Sequence, residues 1–285
     1  MELTVRPVRA TDKPAVLGIS RRIWGGHDYV PMFFSRWVRD GNFWIGEVSG
    51  RVIGCGKASE LAPGEWWLEG LRLDPDWRGK GLGRELSCRI LDRTLRLKPR
   101  SLRLSTASMN RTSIHIIGEM GFRLLSTHHL HSGRPRKPSR QVRLAVPEPG
   151  EALDYIRASS EYRAANGLMP YTWLFREVSL DYVRELGRRR FLNGYRTNGR
   201  LQGVLVVRPH RYFPQNLDIS FVDGSPAAIQ AFGRYIRQTA ERRGSRHISA
   251  MPASRKMALV LSRWGIRRET GRWRVLVFEY PLRRR

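Results

Sequence analysis

The chain has 285 residues, of which 41% are hydrophobic and 27% charged, with two cysteines and a formal net charge of +27. This length predicts about two domains, and the composition excludes a disordered chain, a disulfide framework and a four-thiolate metal site. No apolar run approaches the ~18 residues that span a bilayer and no secretory signal pattern opens the sequence, so we expect a soluble, cytoplasmic protein with no membrane partner.

The positive charge comes mainly from arginine. The chain has 52 basic and 25 acidic residues, and only six of the basic residues are lysines. A field of this sign attracts polyanions and speeds the capture of anionic ligands. The charge therefore admits two interpretations, a solvated basic surface or a nucleic acid or other polyanion partner, although no nucleic-acid-binding motif accompanies it.

The first half of the sequence alternates strands and helices. Apolar residues at strand or helix spacing, separated by turn residues, set the expected limits of the elements. The predicted strands are 3–8, 43–48, 52–59, 66–73, 101–105 and 122–130, and the predicted helices are 11–24, 29–39, 81–97 and 111–120. Residues 131–141 contain two prolines and four cations without periodicity, which predicts a loop or linker, and a strand is expected at 141–146.

The second half repeats the first. A shift of 144 residues aligns 101–122 with 245–266 without a gap, and the hairpin pattern at 191–207 matches one in the first half. Two copies of one α/β unit explain these matches. We therefore expect an α/β (α+β) fold with mixed sheets and two domains, residues 1–140 and 141–285.

A glycine-rich loop follows the strand at 66–73. Its sequence, Arg78-Gly79-Lys80-Gly81-Leu82-Gly83-Arg84, leads from that strand into a helix. Glycine lets the backbone approach an anion closely, and the N–H groups at a helix start donate hydrogen bonds to the anion's oxygens. The loop therefore predicts a phosphate or pyrophosphate site, although it matches neither the dinucleotide-binding pattern nor the P-loop. The alternative interpretation is a surface turn that caps a helix.

The same residues carry a resemblance to a known family. Arg78-Gly79-Lys80-Gly81-Leu82-Gly83 resembles the Q/R-x-x-G-x-G/A pyrophosphate loop of GNAT-superfamily N-acetyltransferases. The approach Leu71-Arg72-Leu73-Asp74-Pro75 and the element order of residues 3–130 also resemble that family. Segments 26–31 and 67–72 further resemble its tandem branch, which includes vertebrate histidine N-acetyltransferases.

This resemblance implies acetyl-CoA as acyl donor and no metal. It implies that Leu71, Arg72 and Leu73 lie along the pantetheine arm and that Asn110 donates a hydrogen bond to this arm. The pyrophosphate would be held by the loop: Arg78, Gly79, Lys80, Gly81, Leu82, Gly83 and Arg84.

Glu69 matches the position at which many family members keep a catalytic glutamate. An amine near neutral pH is mostly ammonium, so a base must take its proton before it attacks a thioester. The alternative is a structural carboxylate paired with an arginine. The family's usual tyrosine, the general acid for the leaving thiolate, is replaced by Ile117, so water is an equal candidate for that role.

Two further residues are candidates for acceptor binding. Asp28 and Tyr29 lie between the first two predicted helices, a connection that overhangs the acceptor side of the cleft in GNAT folds. A carboxylate there would hold an ammonium group, and an adjacent aromatic ring would pack over it. Asp28 is equally suited to capping the helix that follows.

The corresponding loop in the second half is degenerate. One glycine, Gly224, replaces three, and Pro226 removes a backbone donor. We therefore expect 141–285 to be a non-catalytic copy. His128, His129 and His131 lack an accompanying carboxylate or cysteine at ligand spacing, so no metal site is predicted.

The sequence thus predicts an acetyl-CoA-dependent N-acetyltransferase. Its acceptor would be a primary amine, an amino acid or another small amine, that attacks the thioester directly. The alternatives are a protein or peptide N-acetyltransferase, or a non-catalytic protein that binds CoA or a polyanion on a GNAT scaffold.

Overall fold

The structure is a computed structural model, and residues 2–137, 141–271 and 274–282 are described. The strands are β1 (Thr4–Pro7), β2 (Phe43–Val48), β3 (Arg51–Ala62), β4 (Glu65–Leu73), β5 (Ser101–Ala107), β6 (Arg123–His128), β7 (His131–Gly133), β8 (Leu168–Tyr171), β9 (Leu174–Glu177), β10 (Leu192–Thr197), β11 (Arg200–Pro209), β12 (Leu217–Gly224), β13 (Ile248–Ala250), β14 (Arg267–Arg268) and β15 (Val275–Glu279). The helices are α1 (Lys13–Arg21), α2 (Val30–Asp40), α3 (Leu82–Leu95), α4 (Arg111–Glu119), α5 (Pro149–Ala158), α6 (Ser160–Ala164), α7 (Leu180–Arg188), α8 (Pro226–Arg242) and α9 (Arg255–Arg263).

The first sheet is mixed and has the strand order β1-β2-β3-β4-β5-β15-β6. Strands β1 to β4 form an antiparallel meander, and β5 then runs parallel to β4 after the crossover helix α3. On this sheet Val16, Phe34 and Trp37 of the first two helices form a core with Phe43 and Ile45 of β2. The predicted mixed α/β fold is confirmed here.

The second sheet has the order β10-β11-β12-β13-β7-β14, and β8 and β9 form a separate hairpin. The sheet again combines an antiparallel meander with a parallel step, from β12 to β13 across α8. Side chains of β11 and β12 pack on α8 and α9 through Leu205, Ile219, Phe232 and Leu261. The two sheets therefore repeat one plan.

The shift of 144 residues predicted from the sequence holds for a whole helix. It carries the limits of α4 onto those of α9. It also carries the cap Asn110, which accepts from the N–H of Ser113, onto Ser254, which accepts from the N–H of Met257. The glycine after each helix, Gly121 or Gly265, has a positive φ. Matching caps and stops at both helix ends support the duplication.

Two predictions for the connecting segment were wrong. Residues 131–133, predicted as loop, form strand β7, because they pair with both β13 and β14. The strand predicted at 141–146 is reduced to an isolated bridge between Ala145 and Gly194. Residues 138–140, part of the predicted linker, lie outside the described residues.

The chain divides into two compact units that differ from simple halves. The first comprises Met1–Leu104, Asn110–Arg123 and Phe278–Arg285, and the second comprises Ser105–Met109 and Leu124–Val277. Among the residues described, no helix has the length and apolar character needed to cross a membrane.

Candidate active site

Strand β4 bulges in the middle of the candidate site. Between the pairs Cys55–Arg72 and Lys57–Glu69, β4 has two residues where β3 has one. Gly70 takes the positive φ of 67° that this bulge needs. A Cβ atom at Gly70 would lie 2.7 Å from the ring of Trp37, so any larger residue would displace this buried ring.

Beyond the bulge, β4 extends past its parallel neighbour. The ladder between β4 and β5 pairs Glu65–Leu68 with Ser101–Leu104. Residues 69–73 lie past this ladder and pair with β3 on their other side. These residues include the segment predicted to lie along a pantetheine arm, and they carry Glu69 at the point where the ladder ends.

The glycine-rich loop enters α3 with two left-handed glycines. Gly79 and Gly81 have φ values of 74° and 77°, and Gly81 is the residue before the helix. A Cβ atom at either position would meet no protein atom within 4 Å, so the space over the loop is open. The first N–H groups of α3, from Leu82 to Arg84, have no acceptor within the helix. N–H groups so placed can bind an anion, and the pyrophosphate site stays a prediction.

Ion pairs hold the start of this loop. Asp74 accepts a hydrogen bond from the N–H of Asp76 and begins a short 3-10 turn. Arg22 binds both carboxylates, at 2.8 Å from Asp74 and 2.6 Å from Asp76. Lys80 donates a hydrogen bond to the carbonyl of Asp76, and its amine lies over the ring of Trp77. The loop is therefore anchored at its first residues and exposed at its glycines.

The Glu69 side chain faces two polar residues of β3. Ser59 donates a hydrogen bond of 2.7 Å to Glu69 Oε1, and Lys57 lies directly opposite Glu69 in the strand pairing. Lys57 is 3% exposed and donates to the carbonyls of Gly41 and Ala58. Burial lowers the pKa of Lys57 to about 8, while the nearby charge of Glu69 opposes this shift.

Asp28 and Arg72 form a buried ion pair. The guanidinium donates two hydrogen bonds, of 2.7 and 3.0 Å, to the Asp28 carboxylate, which has no exposed side-chain surface. Arg72 also lies over the rings of Trp24 and Tyr29. Burial favours a lower pKa for Arg72, but the interactions with Tyr29 and Asp28 outweigh it and raise the pKa.

Asp28 Oδ1 accepts a hydrogen bond from the N–H of Val30 at 3.3 Å, but the N-cap residue of α2 is Tyr29, one residue later than the predicted cap. Tyr29 places its hydroxyl 3.1 Å from the N–H of Gly70, next to Glu69. The Tyr29 hydroxyl thus lies at the residue that follows Glu69, while the Asp28 carboxylate binds Arg72. A role of Asp28 and Tyr29 in acceptor binding stays a prediction.

Two predicted positions lie on α4. Asn110 caps this helix through its side-chain oxygen, which leaves its amide group as the donor for a ligand. Ile117 is buried and has no titratable group. His115 is exposed and lies 3.7 Å from Glu119.

In the second unit the counterpart of Glu69 is closed off. Asp218 is 1% exposed, and the hydroxyls of Ser249 and Ser220 donate to it at 3.4 and 3.5 Å. Burial raises the pKa of Asp218 to about 6. The helix after β12 starts with the cap Ser225 followed by Pro226, in place of left-handed glycines.

Two of the three clustered histidines, His128 and His131, are buried. Over the described ranges, no group of three or more His, Cys, Asp or Glu side chains is arranged to hold a metal ion. His128 is fully buried between Ser126 and the carbonyl of Met251, and burial lowers its pKa to about 4. It is therefore a neutral core residue.

Sequence reasoning missed Ser59, Lys57 and the pairing of Arg72 with Asp28. The β4 bulge shifts the register by one residue, which changes the β3 residues that lie opposite Glu69. Gly70 between Glu69 and Leu71 was the one available hint, since an isolated glycine in a strand often marks a bulge.

Comparison with known proteins agrees with this geometry. Residues 16–122 match the family model described as Acetyltransferase (GNAT) family. A histidine N-acetyltransferase from Oreochromis niloticus is 35% identical over 74 residues, which is 25% of this chain and 22% of that protein. The match therefore spans less than a quarter of the curated relative.

Solved structures resemble the chain over nearly its whole length. A GCN5-related N-acetyltransferase from Sphaerobacter thermophilus has a TM-score of 0.66 at 13% identity, covering 97% of this chain and 95% of that one. A tandem GNAT protein from the clavulanic acid biosynthesis pathway has a TM-score of 0.59 at 14% identity, covering 98% of each chain. At these identities the likeness shows the fold alone, and it confirms the predicted mixed α/β fold of GNAT type.

Proposed function

Because residues 16–122 form a domain of the Acetyltransferase (GNAT) family, we propose that the protein is an acetyl-CoA-dependent N-acetyltransferase of small primary amines, amino acids in particular. One observation carries the proposal. Strand β4 presents Glu69 at the end of its ladder with β5 and then continues into an open, left-handed glycine loop at the start of α3. A carboxylate and a loop suited to anion binding thus lie on one strand–loop–helix segment.

In this proposal the chain holds acetyl-CoA with backbone groups. The N–H groups from Gly79 to Arg84 bind the pyrophosphate, and the helix dipole of α3 strengthens these bonds. Residues Leu71 to Leu73 line the pantetheine arm, and the Asn110 amide donates to it. Bound acetyl-CoA supplies the acyl group as a thioester.

Glu69 acts as the general base. The ammonium group of the acceptor must lose a proton before its lone pair attacks the thioester carbon, and Glu69 takes this proton directly or through one water. Tyr29 is within reach of the same point on β4, since its hydroxyl contacts the N–H of Gly70. Ile117 carries no transferable proton, so we assign protonation of the departing thiolate to solvent, which also takes the second proton that the nitrogen loses when the amide forms.

The second unit has a supporting role in this proposal. Its residues 223–226 lack the paired left-handed glycines, and its carboxylate Asp218 is buried. We further propose a cytoplasmic enzyme, consistent with two free thiols at Cys55 and Cys88. A polyanion partner for the +27 surface is a proposal that no motif supports.

The test is release of free CoA from acetyl-CoA in the presence of a panel of amino acids, polyamines and peptides. We expect amine-dependent release with a subset of the small amines. Glu69→Gln keeps the shape of the side chain but accepts no proton, so kcat should fall on the order of a hundredfold. The affinity for acetyl-CoA should stay within about twofold, because the loop is unchanged.

Glu85→Gln is the matched control, since Glu85 is a carboxylate on α3 that forms an ion pair with Arg89, four residues further along the helix. Near-normal turnover of Glu69→Gln across the pH range would show that Glu69 is structural. Binding of acetyl-CoA without turnover of any amine would favour a CoA-binding protein instead.

A further inference from the structure

The β3 residues that face Glu69 suggest how this base is held. We propose that Ser59 and Lys57 are positioning residues that hold the Glu69 carboxylate, through one hydrogen bond and one opposite charge, in place for proton transfer. The inference rests on the proposed function of Glu69. It concerns two residues that act through Glu69 and contact no reacting atom themselves.

The contact from Ser59 fixes one oxygen of the carboxylate. Ser59 lies two residues beyond Lys57 on β3, so both side chains project from the same face of the strand as Glu69. Its hydroxyl donates to Oε1 at 2.7 Å, a short distance typical of a hydrogen bond to a charged oxygen. This bond restrains the rotation of the Glu69 carboxylate.

Lys57 supplies a buried positive charge that two hydrogen bonds hold in place. Its amine donates to the carbonyls of Gly41 at 2.6 Å and Ala58 at 2.7 Å, which fixes the position of this buried side chain. The other charged groups that act on it are Asp40 and Arg36 of α2, whose effects are opposite in sign. Glu69 is the residue paired with Lys57 across β3 and β4, and its charge raises the pKa of Lys57 against the effect of burial.

The second unit repeats the arrangement around its own carboxylate. Arg208 of β11 lies directly opposite Asp218 of β12, as Lys57 lies opposite Glu69. Hydroxyl groups of Ser220 and Ser249 donate to Asp218, as Ser59 does to Glu69. A cation opposite the carboxylate and a hydroxyl bonded to it thus occur in both copies.

The copies differ in access. Asp218 is 1% exposed. The Arg208 guanidinium donates hydrogen bonds to the hydroxyls of Ser220 and Tyr182 and to the carbonyl of Pro170. Glu69 is half-buried. The carboxylate of the pair is therefore inaccessible to solvent in the second unit. In the first unit it is partly accessible, so that a substrate can reach it.

Kinetics of Ser59 variants test the hydrogen bond. Ser59→Ala should lower kcat about ten- to a hundredfold, because a base that is free to rotate is rarely aligned, while KM for acetyl-CoA stays within about twofold. Ser59→Thr keeps the hydroxyl and should restore kcat to within about threefold of the parent. Ser35→Ala, on an exposed face of α2, is the control. Equal losses in the alanine and threonine variants, or none in the alanine variant, would overturn the role of Ser59.

Carbon-13 labelling of the lysine side chains tests the charge pair without any turnover. The chain has six lysines, and loss of one signal in Lys57→Arg assigns Lys57. Its amine should titrate near the pKa of about 8 set by burial, and Glu69→Gln should lower this pKa further because the opposing charge is gone. Glu85→Gln should leave it unchanged. A Lys57 pKa that is the same with and without the Glu69 charge would overturn the pairing.

The two experiments separate this inference from the proposed function. If no amine is acetylated but the Lys57 titration responds to Glu69→Gln, the pairing stands and the assigned reaction fails. If amines are acetylated and Glu69→Gln is inactive, yet neither Ser59→Ala nor the titration responds, the reaction stands and the positioning role fails.

Discussion

At the scale of single residues, the pair formed by Asp28 and Arg72 is the most strongly buried charge interaction of the candidate site. Both oxygens of Asp28 bind the guanidinium, and two aromatic rings lie against the cation. Removing one partner of such a pair leaves a buried charge without compensation, which is costly. The residues between the first two helices are thus held to β4 by electrostatics as well as by packing.

We predict that Asp28→Asn lowers the free energy of unfolding by about 3 kcal/mol, because Arg72 keeps its charge and loses its counterion. Urea unfolding followed by fluorescence measures the change. Asp40→Asn is the control, since Asp40 pairs with Arg36 on an exposed surface and should cost less than about 1 kcal/mol. Unchanged stability together with a raised KM for the acceptor would instead assign Asp28 to acceptor binding.

A second prediction for a single residue concerns Asp218 and the pH dependence of stability. Its pKa is raised from 3.8 to about 6 by burial, so between these values the folded state holds more protons than the unfolded state. The free energy of unfolding should therefore fall as the pH rises from about 4 to about 6, by about 3 kcal/mol from this residue.

The measurement is urea unfolding at several pH values, with Asp218→Asn and the exposed control Asp181→Asn. The Asp218 variant should lose this downward slope, and the control should keep it. Parallel pH profiles for all three proteins would contradict the prediction, whatever their absolute stabilities.

At the scale of elements, the loop between β4 and α3 depends on two left-handed glycines. Gly81→Ala introduces a side chain at a φ of 77°, which disfavours the conformation that turns the helix N–H groups toward the anion. We predict that the Kd for acetyl-CoA rises at least tenfold. The free energy of unfolding should fall by only about 1 kcal/mol, from the strained φ alone, because a Cβ at this position meets no protein atom. Calorimetry with acetyl-CoA provides the measurement.

Gly118→Ala is the matched control, because Gly118 lies inside α4 with open space around its Cβ position. Alanine there should leave the Kd unchanged and stabilise the helix slightly. An unaltered Kd in Gly81→Ala would mean that the ligand does not depend on the loop backbone.

Elements with strong local signals were predictable from the sequence. The limits of β2 were predicted to the residue, and those of α4 to within one residue, because turns and caps border them clearly. Strand β7 was missed, because three residues with no apolar alternation become a strand only through partners more than 100 residues away. Within the site, Glu69 and the glycine loop carry local patterns, whereas Ser59 and Lys57 depend on a bulged register that only tertiary packing fixes.

At the scale of the whole molecule, one copy of the fold has the loop and the other lacks it. We predict that one acetyl-CoA binds per chain, with a stoichiometry of one in calorimetry. Two sites per chain would contradict the degenerate assignment of the second unit.

The charge of +27 gives a prediction about rate. A positive field attracts the phosphates of acetyl-CoA, and salt screens this attraction. The association rate constant, measured by stopped flow, should fall severalfold between 20 and 500 mM salt, on the order expected for steered encounters, while the dissociation rate constant changes less. Equal association rates at both salt concentrations would show that the charge does not act on this ligand.

The first compact unit is not continuous in sequence, and this has a consequence for its synthesis. Its last segment supplies Tyr280, which donates its N–H to the carbonyl of Leu102 and packs its ring on Phe122, and Glu279, which binds Arg103. A nascent chain that has left the ribosome as far as residue 123 therefore still lacks these partners. At ~5–20 residues per second, they follow roughly ten seconds or more later, so the domain with the candidate site reaches its native state only after the second unit has been translated. During that interval we expect apolar surface of the nascent first unit to stay exposed.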